Sequence, residues 1–315
     1  MIYRIAEPAP GGKGVIGVFP EWDTDGSADA RILSRLHADN LTVLFARNHA
    51  SAFFARIAPA LLQYGHLIDF VCGWEVEHLR MVFLPLNPNV EVLQLSAMNF
   101  NTFDLLREAR RQASAQEKLF DVFFATSTRP DGLKNTESLS RLLGNVDRSL
   151  RVVGYGRLED DELARIAANP NLEFNWDGKA AIADPVARLR FLLDLTRSRC
   201  LLITSRVEGY CRLIGEALFL GVPVVLPAGI LCDNWIHLNS NNCRLFVEEL
   251  FDCCLDDVLR QTWNFPPPEF PEGNALLRQV VEAYLARREL CLPRVWYPLH
   301  YGALTDRRLT EEDVS

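Results

Sequence analysis

The sequence predicts an α/β protein of two doubly wound, Rossmann-like domains facing each other across a cleft. Three observations carry this expectation. Short apolar runs alternate with segments of helical periodicity, the pattern of parallel sheets covered on both faces. The alternation restarts near residue 120, after a polar helical segment. A chain of 315 residues is too long for one ordinary compact domain and comfortable for two.

In the first half, Val15 to Phe19 is an apolar run suited to a buried strand. The polar loop Glu21 to Ser27 follows. Ala28 to Ala38 then carries Ile32, Leu33 and Leu36 at helical spacing. Leu41 to Phe45 reads as the next strand, and Ser51 to Tyr64 as an amphipathic helix bent at Pro59. Ile68 to Cys72 and Val90 to Leu95 are further strands, and Phe103 to Lys118 is a polar helix. The second half gives strands over 120–125, 150–153, 172–174, 200–204 and 222–226, with helices over 136–143, 160–168, 184–196 and 211–220. Five parallel strands with intervening helices make a doubly wound unit. Phe265-Pro266-Pro267-Pro268 is a stiff break, and Asn274 to Leu290 a last strong helix. The boundary falls near 116. That gives a first domain over 1–116, a second over 117–273 and a C-terminal segment over 274–315.

Composition narrows the class. Hydrophobic residues make up 49% and charged residues 23%, which suits a globular chain with a full core. No apolar stretch reaches the ~18 residues of a membrane span, and the first residues lack the apolar run of a signal peptide. A net charge of −8 argues against general affinity for nucleic acid or anionic lipid. The eight cysteines include no C-x-x-C pair and read as reduced thiols of a cytoplasmic protein. No histidine spacing and no D-x-D cluster at a strand end suits a metal, and no cofactor is expected. Asp160-Asp161 and Asp256-Asp257 read as charges flanking helices, and His78 as a surface histidine.

The segment Leu201 to Pro227, LLITSRVEGYCRLIGEALFLGVPVVLP, holds most of the chemistry. A strand ends at Thr204-Ser205, a loop carries Glu208 and Gly209, and a helix containing Glu216 follows. Gly221 suits a helix C-terminal cap, and Pro223 prevents the helix from continuing. A loop that leads from the carboxyl end of a parallel strand into a helix N-terminus is a ready anion site. Gly209 lets the backbone approach a ligand. Glu208 and Glu216 are spaced so that both carboxylates can turn toward it.

This segment resembles the E-x7-E signature of retaining GT-B glycosyltransferases, glycosyltransferase family 4 above all. The matching positions are Ser205, Glu208, Gly209, Tyr210, Glu216, Ala217, Gly221, Pro223, Val224 and Val225. Cys211 and Arg212 depart from it, standing where small residues are usual. Upstream, Arg129 and Lys134 resemble the family's R-x4-K-G, with Asn135 in place of the glycine. Val152 to Gly156 resembles its strand ending G-x-G, and Asn171 to Trp176 the strand and loop that frame the nucleobase. The motifs cover about 120–228, and the first domain fits by architecture alone.

The resemblance implies a metal-independent transferase moving a sugar, with retention, from a nucleotide-diphosphate sugar to an acceptor hydroxyl the sequence does not identify. Arg129, Lys134 and the helix N-terminus near Tyr210 would stabilise the leaving diphosphate. Glu208 would hold the sugar and Glu216 the ribose. Gly209, Tyr210 and Cys211 would line the donor site, and Trp176 would either stack on the base or cover the loop. Gly26 and Ser27 would meet donor phosphates from the first domain, and the last helix would cross back toward that domain. Two alternatives stay open: a GT-B transferase acting on a nucleic-acid base, with Arg107, Arg110 and Arg111 as its basic groove, and a non-catalytic nucleotide-binding module.

Overall fold

The computed structural model describes residues 2–19, 26–46, 54–55, 57–73, 76–95, 103–113, 117–127, 132–178, 184–208, 211–269 and 273–297. The chain is α/β, with two Rossmann-like compact units: Met1–Asn101 together with Phe270–Ser315, and Thr102–Glu269.

The first unit is built on β1 (Ile2–Glu7), β2 (Gly14–Val18), β3 (Asn40–Phe45), β4 (Ile68–Gly73) and β5 (Glu91–Gln94). They lie side by side in that order, with the short strand Val295–Trp296 beyond β1. β2 to β5 are parallel, and β1 is antiparallel to β2. Helices Ser27–Leu33, Ala58–Tyr64 and Val76–Phe83 cover one face, where Ile32, Leu61, Leu79 and Phe83 pack on Ile16, Leu44 and Val71. The other face, with Val15, Val43, Phe70 and Cys72, is closed by Leu277, Val281 and Leu285 of helix Gly273–Arg287. The second layer of this unit thus comes from the far end of the chain. Asp69 joins the two. It accepts from Thr42 N–H at 2.9 Å and from Tyr284 Oη at 3.2 Å. Burial raises the Asp69 carboxyl above the ordinary range, against the lowering effect of those two donors.

Two local expectations change here. β1 falls in an N-terminal stretch assigned no element; Arg4 interrupts its apolar residues Ile2, Tyr3, Ile5 and Ala6, so the six residues carry little periodic signal. Pro59 lies in the first turn of helix Ala58–Tyr64 rather than at a bend, because the missing N–H costs nothing there.

The second unit holds β6 (Phe120–Ser127), β7 (Leu150–Arg157), β8 (Leu172–Asp177), β9 (Ser198–Leu202), β10 (Val224–Pro227) and β11 (Cys243–Phe246). Their order is β11-β10-β9-β6-β7-β8, and every pairing is parallel. The chain starts in the middle and winds out to β8. Helix Pro185–Thr196 then returns it to β9, beside β6, and it winds out the other way. The reversal between β6 and β9 is a topological switch point. One face packs Leu139 and Leu143 of helix Thr136–Asn145 and Leu255 and Val258 of helix Phe251–Arg260 on Val122, Phe124 and Val152. On the other, Phe191 meets Phe123 and Tyr155, ring centroids 5.1 and 4.9 Å apart.

This unit has six strands where the sequence suggested five; β11 is a four-residue edge strand. Asp256 and Asp257, expected beside a helix, lie within Phe251–Arg260 and pair with Arg148 at 2.5 Å and Arg244 at 2.9 Å. Helix Phe103–Ala113, placed in the first domain by the sequence, belongs to the second unit and packs on helix Pro185–Thr196. Its buried Leu106 and Ala109 do not reveal from sequence which sheet they face. The boundary position 116 itself lies outside the described residues.

Candidate active site

The site is assembled from three loops at the carboxyl ends of β6, β9 and β10, and their backbones lace them together. Arg206 N–H donates to Leu133 C=O at 2.9 Å. Leu231 N–H donates to Arg206 C=O at 3.0 Å, and Glu208 N–H to Leu231 C=O at 2.7 Å. The segment after β6 and the segment after β9 are therefore held against each other at the switch point. That is where open parallel sheets bind ligands, because the loops of adjacent strands part there.

Lys134 comes from the first of these loops and Glu208 from the second. Lys134 Nζ donates to Glu208 Oε1 as an ion pair, the two side chains 26% and 12% exposed. The next residue, Asn135, takes φ 49 before helix Thr136–Asn145. Glycine adopts this left-handed backbone freely, and asparagine is among the few other residues that tolerate it. Gly221 likewise takes φ 74 just past helix Arg212–Phe219, the C-terminal stop expected of it.

Helix Arg212–Phe219 follows the Glu208 loop, with Cys211 as its N-cap residue. Asn234, fully buried, fixes this junction. Its Oδ1 accepts from Cys211 N–H at 2.7 Å, and its Nδ2 donates to Cys211 C=O at 3.1 Å. Burial, reinforced by the Glu208 charge, pushes the Cys211 thiol up to about 12, so it stays protonated at neutral pH. Glu216 lies in the body of the helix and is 1% exposed. Its carboxylate accepts from Arg188 Nη2, and Arg212 Nε lies 3.6 Å from the same oxygen. Nothing in the sequence singled out Arg188 or Asn234. Each is a lone polar residue in a distant segment, and neither belongs to a spacing pattern.

The remaining predicted residues lie apart or outside. Trp176, on β8, packs its ring on Phe124 with centroids 5.9 Å apart. Gly154 of the G-x-G pairs in register with both Phe124 and Trp176, and a Cβ on it would collide with the Phe124 ring. That glycine is required by aromatic packing. Gly26, with φ 75, and Ser27 open helix Ser27–Leu33 in the other unit. Arg129, Gly209 and Tyr210 lie outside the described residues. His78, expected on the surface, has its Nε2 buried without a hydrogen-bond partner among the described residues. Its ring stacks on Phe54, centroids 6.4 Å apart. Among the described residues, no group of three or more His, Cys, Asp or Glu is placed to hold a metal ion.

A lysine and a carboxylate at the switch point, beside a helix N-terminus, form a site suited to a ligand that is anionic at one end and rich in hydroxyls at the other. No protein-family model matches the chain, and no curated protein sequence matches it. Solved structures with a similar course of the chain include the pneumococcal O-GlcNAc transferase GtfA in complex with UDP and GlcNAc. It has 13% identity and a TM-score of 0.47 over 80% of this chain and 51% of that one. The UDP-GlcNAc 2-epimerase of Methanocaldococcus jannaschii has 13% identity and a TM-score of 0.49 over 81% and 73%. Anabaena Alr3699/HepE in complex with UDP and glucose has 13% identity and a TM-score of 0.47 over 85% and 84%. The chain spans about half the length of the GtfA chains it matches.

Proposed function

We propose that the chain is a GT-B glycosyltransferase of the retaining, metal-independent kind, transferring a sugar from a nucleotide-diphosphate sugar to an acceptor hydroxyl. The observation that carries this reading is the meeting of Lys134 and Glu208 at the switch point between β6 and β9. The E-x7-E and R-x4-K resemblances of the sequence support the family 4 likeness.

As the bond between the anomeric carbon and the diphosphate oxygen lengthens, negative charge grows on the leaving diphosphate. Lys134 and Arg129 neutralise that charge, and fixed cations act most strongly where charge develops. With these cations in place no divalent metal is required. The acceptor hydroxyl attacks the same face that the diphosphate leaves, and its proton passes to a departing phosphate oxygen. Glu208 accepts hydrogen bonds from the sugar once Lys134 turns to the phosphate. In the Lys134–Glu208 pair the two charges offset each other, and each can exchange its partner for a group of the ligand. Gly209, Tyr210 and Cys211 line the donor, and Trp176 either stacks on the base or covers the loop.

The base-modifying alternative has no structural observation in its favour. Arg107 pairs with Asp104 at 3.3 Å, Arg111 with Glu108 at 2.6 Å, and Arg110 lies over the Phe219 ring at 5.7 Å. No described helix is long and apolar enough to cross a membrane. The eight cysteines are free thiols, which fits the proposed cytoplasmic setting. A thermal-shift screen of nucleoside diphosphates and nucleotide sugars in EDTA tests the proposal. At least one raises the melting temperature without added metal. No shift with any of them, or a shift that appears only with Mn²⁺, overturns it.

A further inference from the structure

The two carboxylates of the E-x7-E segment have different surroundings. Glu208 meets a lysine in a partly open loop, whereas Glu216 is buried between two guanidinium groups. Arg188 is the deeper of these, its guanidinium over the Phe191 ring at 4.6 Å. The side chain of Arg188 is 10% exposed and that of Arg212 20%. Among the described residues, two cations meet one anion here. Both guanidinium groups approach one oxygen of a carboxylate that is 1% exposed, so ribose hydroxyls would have to reach a side chain closed off from solvent.

We propose that Glu216 is a positioning residue, and that the Arg212 guanidinium it holds binds the diphosphate of the donor. This rests on the donor site proposed above. Arg212 is the first residue of the helix that follows the Glu208 loop, so its side chain and the positive helix end belong to the same turn. Glu216, one turn on, holds it by its Nε edge, and Arg188 anchors Glu216 from behind. An arginine braced in this way has lost much of its rotamer freedom before the ligand arrives, which favours binding. The planar fork of a guanidinium matches paired phosphate oxygens. The arginine that departs from the sequence signature thereby becomes a phosphate ligand.

Calorimetry on the full chain separates this from a ribose contact. The probes are the nucleoside diphosphate that binds the parent, chosen among UDP, ADP, GDP and CDP, and its own nucleoside. Arg212→Ala is expected to lose on the order of tenfold or more in diphosphate affinity, as removal of a charge-assisted contact does, and to keep nucleoside affinity. Arg212→Lys recovers part of the loss, and Glu216→Gln follows Arg212→Ala. Equal losses for nucleoside and diphosphate in Glu216→Gln assign it to ribose and overturn the inference. So does unchanged diphosphate affinity in Arg212→Ala. If Glu216→Gln fails to fold, Arg212→Ala, at a more exposed side chain, decides alone. A parent chain that binds no nucleoside diphosphate overturns the donor site itself, and this inference with it; binding by the parent that Arg212→Ala retains overturns only the inference.

Discussion

Lys134 and Glu208 stand 74 residues apart in the chain and join as an ion pair where the strand order of the second unit reverses. The pair stores a cation and an anion at the point where a charged, hydroxyl-rich ligand would separate them. Replacing Lys134 by alanine is expected to lower turnover by on the order of 10²-fold or more, since it removes a charge aimed at the leaving group. It also leaves the Glu208 carboxylate, mostly buried, without its cation, at a cost of about 1–2 kcal/mol. The double variant Lys134→Ala with Glu208→Gln recovers stability without recovering turnover. Steady-state kinetics and urea unfolding measure both, and a single variant with parental turnover removes Lys134 from the machinery.

Glu208→Gln separates sugar from nucleotide. The proposed partner of Glu208 is the donor sugar, so the free nucleoside diphosphate should bind the variant as it binds the parent. The nucleotide sugar should bind on the order of tenfold more weakly, for loss of charge-assisted bonds to its hydroxyls. Parallel titrations with the two ligands check this, and equal losses for both would move Glu208 to the nucleotide.

Asn234 tests how the loop is held. Alanine there removes both bonds to Cys211 and leaves Cys211 N–H without its acceptor, while Cys211 C=O keeps Ile214 N–H at 3.1 Å; the cost is about 1–3 kcal/mol. Asn234→Asp keeps the acceptor for Cys211 N–H but sets a carboxylate oxygen against Cys211 C=O, so it should also destabilise. Both variants are expected to bind nucleoside diphosphate more weakly than the parent, because the anchor of the helix N-terminus is gone. Thermal unfolding with and without the ligand shows this directly, and parental stability in both contradicts the clamp.

Tyr284→Phe addresses the return of the last helix to the first unit. It deletes the hydroxyl that donates to Asp69 and leaves the packing of the ring on Phe70 in place. The expected loss is about 1 kcal/mol in denaturant unfolding. No loss would mean that apolar packing of Leu277, Val281 and Leu285 alone holds the helix.

Lys118 provides a pH signature in the second unit. Its Nζ donates to Thr196 C=O at 2.7 Å and Ser198 C=O at 2.8 Å, and burial lowers it from its ordinary 10.5 to about 8. Below pH 8 it is charged in both folded and unfolded chains, and folding bears the desolvation cost. Between 8 and 10.5 the folded chain releases the proton first, so the stability due to Lys118 rises with pH. The parent should therefore gain roughly 1–3 kcal/mol relative to Lys118→Met between pH 7 and pH 10. Unfolding curves of both proteins at the two pH values test it, and a constant difference overturns it.

The elements legible in the sequence were those with strong periodicity and clear stops. The strands at 41–45, 68–72 and 150–153 are apolar enough to be read directly, and helix 160–168 carries its own acidic first turn. The strands Ile2–Glu7 and Cys243–Phe246 are not legible: Arg4 and Glu7 interrupt the first, and the second is a four-residue edge strand. Helix Phe251–Arg260 has Phe251, Leu255 and Val258 at helical spacing, yet the charged pair Asp256-Asp257 obscured it.

The same division runs through the candidate site. Glu208, Glu216 and Lys134 stand out along the chain through their E-x7-E and R-x4-K spacings, two of them in loops that lead from a strand into a helix and Glu216 within the helix. Asn135 and Gly221 are legible for a similar reason: a left-handed backbone admits few side chains. What folding added are partnerships between segments with no local relation: Lys134 with Glu208, Arg188 with Glu216, Asn234 with Cys211, and Tyr284 with Asp69. Each joins side chains whose distance is set by strand order. No periodicity or spacing encodes strand order, since it arises from how each sheet buries its apolar faces beneath the helices of its own unit.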